Sequence, residues 1–163
     1  MKKIILVLCC LICVHYYSAA QNILPLETAT INGSTVITPV LPNLVKLLKV
    51  SKSDFVATVK GLSYTLSKPD DPNTYQANNA EQVYNVDKED QNVDIFFSDN
   101  SGYTKKVKDD FLAAYPNARH KAMDGGIQAY YFDMKDGRDT IHYCIFFDLP
   151  ADGGGGVTLL ILQ

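Results

Sequence analysis

The chain has 163 residues, with 15 Lys and Arg against 18 Asp and Glu and a formal net charge of −3. Phosphate binding rests on Lys and Arg neutralising charge, so this balance excludes nucleic acid and anionic membrane surfaces as partners. The length suits one domain that can bury its own core, and no second domain is needed.

Met1-Lys2-Lys3, an apolar run from Ile4 to Val14, and His15-Tyr16-Tyr17-Ser18-Ala19-Ala20 form the three-part layout of a secretory signal peptide. Residues 1–20 are therefore expected to be removed by a cut before Gln21, where Ser18 and Ala20 suit a peptidase pocket that admits only small side chains. The apolar run holds about eleven residues, whereas a helix needs roughly 20 to span a bilayer. No stable membrane anchor is expected after cleavage. Cys9, Cys10 and Cys13 follow Leu8, Cys9 and Ile12, whereas lipoprotein signals resemble a pattern with a small residue before the modified cysteine, so lipidation is disfavoured. Their loss leaves Cys144 alone and rules out an internal disulfide. Without Lys2 and Lys3 the remaining 143 residues carry a net charge of −5. The Lys-Lys start, the Ala-Gln junction and the absence of Trp resemble exported proteins of Bacteroidetes-type bacteria. The expected location is secreted or periplasmic.

Residues 21–42 read as an N-terminal arm. Asn32-Gly33 sits between two β-branched runs and suits a hairpin turn, loosely attached because its strands are short and polar on one side; Pro39 and Pro42 then interrupt regular structure. Residues 43–163 read as a single α+β domain. Leu44, Val45, Leu47 and Leu48 suit one or two helical turns, and Ser51 with Asp54 forms an approximate capping box for a first main helix carrying Phe55, Val56 and Val59 and ended by a left-handed Gly61. Ser63 to Leu66 is extended, residues 68–73 form a loop in which two prolines forbid pairing, and Gln82 to Val86 and Val93 to Phe97 are strands joined by a polar hairpin loop. Thr104 can cap a second main helix with Val107, Phe111, Leu112 and Tyr115 on one face, stopped by Pro116. Four strands follow: Ala118 to Met123, Ile127 to Met134, Thr140 to Phe147 and Val157 to Leu162. The Gly153 to Gly156 run leads into a strand without a Lys, so it reads as a hairpin connection and not as a phosphate loop.

A type I′ turn at Asp136-Gly137 would set Phe132 opposite Ile141 and Tyr130 opposite Tyr143. Alternation then gathers Tyr130, Phe132, Met134, Ile141, Tyr143, Ile145 and Phe147 on a face covered by the helices. The reverse carries Ile127, Ala129, Tyr131, Asp133, Thr140, His142, Cys144 and Phe146, a mixed face and the best candidate for a binding surface. Asp54-Phe55 with Ile95-Phe96-Phe97 echoes Asp110-Phe111 with Ile145-Phe146-Phe147, which suggests two α-then-β half-repeats over 51–100 and 104–163. Side by side, these give an antiparallel sheet with both main helices on one face. That layout is similar to the one in β-lactamase inhibitor proteins and small outer-membrane assembly lipoproteins, a likeness of architecture alone.

The candidate binding residues are Tyr131, His142, Cys144 and Phe146. Tyrosine and phenylalanine supply rigid contact area, while His142 and Cys144, two apart on a strand, point the same way. A Cys-His pair could support a thiol enzyme, but no orienting group or oxyanion donor is marked, and a half-buried histidine beside a small hydrophobic cysteine is the plainer reading. No zinc site is expected from Cys144, His142 and His120, which lack close paired spacing. Asp90, Asn92 and Asp94 imitate the opening of a calcium loop, but Ile95 and Ser101 stand where glycine and glutamate are required, leaving a solvated acidic loop. No catalytic residue, metal or cofactor is assigned. The leading expectation is an exported, non-enzymatic binding or inhibitory module of the bacterial cell envelope, its partner an unidentified envelope protein. The alternatives are a carrier of a small apolar ligand and, behind it, a thiol-based hydrolase.

Overall fold

The computed structural model describes residues 24–31, 33–77, 84–97, 102–150 and 154–162. Residues 1–20, expected to be a signal peptide, together with Gln21, Asn32, Val83, Ser101 and Gly153, lie outside the described residues. Those described form an α+β protein. An eight-stranded antiparallel sheet carries three helices, and a two-stranded sheet stands beside it.

The small sheet pairs β1 (Thr28–Ile31) with β2 (Ser34–Ile37). It is held firmly, not loosely. Val36, Ile37 and Thr38 are buried, and the Ile37 amide donates to the Tyr64 hydroxyl at 2.9 Å. Asn43, itself buried, donates to the carbonyls of Glu27 at 2.7 Å and Thr38 at 2.8 Å, and accepts from the Glu27 amide at 2.9 Å. Burial of one strand face and one amide linking three backbone groups outweigh the shortness of the strands.

Leu41–Lys49 forms helix α1, which buries Leu44, Leu47 and Leu48 and keeps Lys46 and Lys49 outside. Pro42 does not interrupt it, because a proline in the first turn lacks only an amide that would have no intrahelical partner. The sheet therefore carries a third full helix besides the two main ones. Helix α2 (Lys52–Gly61) starts on Ser51, whose hydroxyl accepts from the Asp54 amide at 3.1 Å. Gly61 belongs to α2, and the left-handed residue beyond it is Ser63 at φ 66°. Helix α3 (Tyr103–Ala114) starts one residue before Thr104, with Gly102 as its N-cap at φ 68°. Thr104 is buried inside the first turn and does not cap it, because its side chain packs against Gly155.

Strand order in the large sheet is β3-β4-β5-β6-β10-β9-β8-β7. The first four are β3 (Tyr64–Lys68), β4 (Asp71–Ala77), β5 (Tyr84–Lys88) and β6 (Asn92–Phe97). The second four are β7 (Arg119–Ala122), β8 (Gln128–Asp136), β9 (Asp139–Asp148) and β10 (Gly155–Ile161). Each set follows a helix, and the fourth strands, β6 and β10, pair antiparallel at the centre. By position in this order β6 corresponds to β10. The Ile-Phe-Phe echo linked β6 with β9 and is therefore a likeness of composition.

Residues 71–73, expected in the 68–73 loop, instead open the strand Asp71–Ala77. Pro72 is compatible with it because β5 pairs only with Thr74, Tyr75 and Gln76, and the β3–β4 register shifts between Lys68↔Asp71 and Leu66↔Tyr75, leaving Pro72 without a partner on either side. The β8–β9 register also differs. Phe132 faces Tyr143 and Tyr130 faces Ile145, with Gly137 and Arg138 as the turn residues between Asp136 and Asp139. Gly137 at φ 61° stands first, the place where a type II′ turn demands glycine. The slip is two residues, an even number, so every side chain keeps its assigned face.

The core lies between the helices and one sheet face. Phe111 of α3 centres it, with ring centroids 5.0 Å from Phe132, 5.7 Å from Phe147 and 5.8 Å from Tyr130. Tyr143, Ile145, Val157, Leu159, Val93 and Ile95 continue it across the central strands.

Candidate functional site

All three helices cover one side, and among the described residues no helix covers the reverse of the sheet. Register settles what it displays. Across one row Thr74 faces Asp87, Asp87 faces Asp94, Asp94 faces Thr158 and Thr158 faces Phe146. In the next, Gln76 faces Asn85, Asn85 faces Phe96, Phe96 faces Gly156 and Gly156 faces Asp148. Strands β4 and β5 thus present amides, hydroxyls and carboxylates, and from β6 to β9 the rings of Phe96 and Phe146 alternate with Asp94, Asp148 and Thr158.

Of the residues expected to bind, all four lie on this face and three are accessible. Tyr131 is half-buried, with the Arg119 guanidinium 5.7 Å from its ring centroid. Phe146 is half-buried opposite Ala129. His142 is exposed, its Nδ1 2.7 Å from an oxygen of Asp133 directly across the β8–β9 pair. Cys144 is 1% exposed, because a small side chain between larger neighbours is covered by them. Burial pushes its thiol above the usual range, while hydrogen bonds from the Tyr131 side chain and the Tyr130 backbone pull the other way. A protonated, covered thiol is not a nucleophile.

The acidic side chains occupy less comfortable positions. Asp94 and Asp87 stand directly opposite on neighbouring strands, an arrangement in which like charges destabilise a sheet. Asp94 accepts from the Thr158 hydroxyl at 2.7 Å. Burial holds its carboxyl above the usual range, the Thr158 bond opposes this, and the charges of Asp87 and Asp148 add to the rise. The Thr74 hydroxyl lies 2.7 Å from an oxygen of Asp87 and 2.7 Å from one of Asp71, with one proton for the two. The other oxygen of Asp87 and the amide oxygen of Asn85 are buried without a donor.

The calcium-like residues disperse: Asp90 lies in the β5–β6 turn, Asn92 donates to Glu89 at 2.9 Å, and Asp94 faces Thr158 on the open face. Among the described residues no group of three or more His, Cys, Asp and Glu side chains is placed to hold a metal ion. Two depressions open near the expected residues. The larger, about 680 Å³, includes Tyr115, Arg119, Tyr131, Asp133 and His142 in its lining. The smaller, about 290 Å³, includes Asp94, Phe96, Phe146, Asp148 and Gly156 in its lining.

Sequence reasoning missed the Gly156 depression. The alternation of Asn92–Phe97 already sends Asp94 to the side opposite Val93 and Ile95, and this signal was available. That β10 lies beside β6 was not, because adjacency of strands 60 residues apart leaves no local trace. Gly155 and Gly156, read as part of a connection, belong to β10 and are buried.

The fold and the open face thus define an α+β protein with a one-sided antiparallel sheet. Comparison of the chain with protein-family models, with curated proteins and with solved structures gives no match.

Proposed function

We propose that this chain is an exported, non-catalytic binding or inhibitory module of the bacterial cell envelope that engages an envelope protein through the open face of its sheet. One observation carries the reading: Tyr131 and Phe146 remain partly accessible on a sheet face that none of the three helices covers. Aromatic side chains of this kind supply large contact area at small conformational cost. Among the described residues no helix is long and apolar enough to cross a membrane. The covered, protonated thiol of Cys144 weighs against the thiol hydrolase. The carrier reading has in its favour an apolar depression between α1 and α3, lined by Val40, Val107, Phe111 and Ile145; at about 260 Å³ it is smaller than most ligand pockets, roughly 300–1,000 Å³.

The test is capture from envelope extracts of the chain's own organism, using immobilised wild type beside Tyr131→Asp, with melting curves to confirm that both are folded. The expected result is one stoichiometric protein held by the wild type and lost by the variant. Equal retention by both, or recovery of an apolar small molecule in place of a protein, overturns the reading.

A further inference from the structure

Gly156 is a glycine that the backbone does not require. Its φ lies outside the left-handed range, and a Cβ built on it would meet its nearest neighbours, the Asp94 carboxylate, the Ile95 carbonyl and the Phe96 ring, at 3.6 Å, ordinary contact. Its neighbour Gly155 is different, since a Cβ there would stand 2.7 Å from the Thr104 hydroxyl and 3.0 Å from the Asp148 carbonyl. Glycine inside a strand weakens it, and it often marks a bulge, a bend or a place where a ligand or another backbone approaches closely.

The surroundings of Gly156 say what would approach. Asp94, Thr158 and Phe146 form one row and Phe96, Gly156 and Asp148 the next, so carboxylates occupy one pair of diagonal corners and phenyl rings the other. The glycine leaves a hole between them, about 290 Å³ in volume, with Met123 and Ile127 at its rim. Among the described residues lining it there is no Lys or Arg. Aromatic rings and carboxylates around one hole are complementary to a cation on an apolar stem, the rings through contact with the stem and the carboxylates by charge.

We infer that the Gly156 depression receives a lysine or arginine side chain presented by the protein partner. The inference rests on the open-face reading and names the chemistry of its central contact. A cation seated there lies between Asp94 and Asp148 and offsets the repulsion that Asp94 meets from Asp87 and Asp148 in the free protein.

The experiment titrates the folded chain with Nα-acetyl-arginine amide and Nα-acetyl-lysine amide, with the norleucine amide as uncharged control, and follows the NMR signals of Gly156, Phe96 and Phe146. Saturable shifts with a cationic probe and none with norleucine are expected. Affinity should fall at least tenfold in Asp94→Asn/Asp148→Asn and in Gly156→Leu, while Gly156→Ala, which the backbone tolerates, keeps the fold and weakens binding less. Equal shifts from norleucine, no shifts from either cation, or undiminished affinity in the double variant overturns the inference. The two readings fail separately: a partner lost by Tyr131→Asp but kept by Asp94→Asn/Asp148→Asn leaves the open face standing without the cation.

Discussion

Cys144 and Asp94 are both on the open face, and burial moves the titration of each in the direction that favours its neutral form. For the thiol this predicts inertness. Alkylation of Cys144 by a small electrophile at neutral pH is expected to be at least about tenfold slower in the folded chain, cut before Gln21, than in denaturant; equal rates would return Cys144 to the list of reactive groups. For the carboxyl it predicts a pH dependence. A group whose value rises above the ordinary 3.8 on folding binds more protons in the folded state, so stability falls as pH climbs through that interval and stays lower above it. Asp94→Asn removes this loss. Melting curves from about pH 3 to 7 should show the variant to be the more stable at neutral pH, with the advantage vanishing toward the acid end. A wild type as stable as the variant at neutral pH would show that Asp94 carries no such penalty.

At the scale of elements, the contrast between two adjacent glycines is a test of how α3 meets the sheet. Gly155→Ala places a methyl against Thr104 in the first turn of α3 and against the Asp148 carbonyl, and overpacking of this kind costs about 1–3 kcal/mol. Gly156→Ala, one residue on, should change stability by less than about 1 kcal/mol in either direction. Urea denaturation separates the two, and an equal loss in both would mean that strand entropy and not the helix contact governs. Elements with a strong local pattern were legible in the sequence. The leucine spacing of α1, the Ser51 cap of α2 and the alternation of β9 each express burial on one side of a single segment. Boundaries were less so. Thr104 has the chemistry of a cap but packs against Gly155, and Pro72 sits in a strand because β5 does not reach it, and both outcomes depend on a neighbouring element.

At the scale of the whole molecule, β6 and β10 join two four-strand sets, so the central strands have neighbours on both sides while β3 and β7 form the edges. All four residues of β7 are exposed. Native-state hydrogen exchange should therefore show the slowest amides in β6, β9 and β10 and the fastest strand amides in β7, whose opening needs little of the core to be disturbed. Uniform protection across the sheet would mean that the edges unfold only with the whole.

The sequence by itself determined the α+β class, the helix-covered face of β8 and β9 and the placing of Tyr131, His142, Cys144 and Phe146 on its reverse, because side-chain alternation is a property of one strand and survives an even register slip. Only the tertiary structure decided that Cys144 is covered while Tyr131 stays accessible, and that Asp94, Phe96, Phe146, Asp148 and Gly156 surround one hole. Those facts depend on which strands lie side by side, and that is settled by burying the whole core at once, not by any stretch of chain alone.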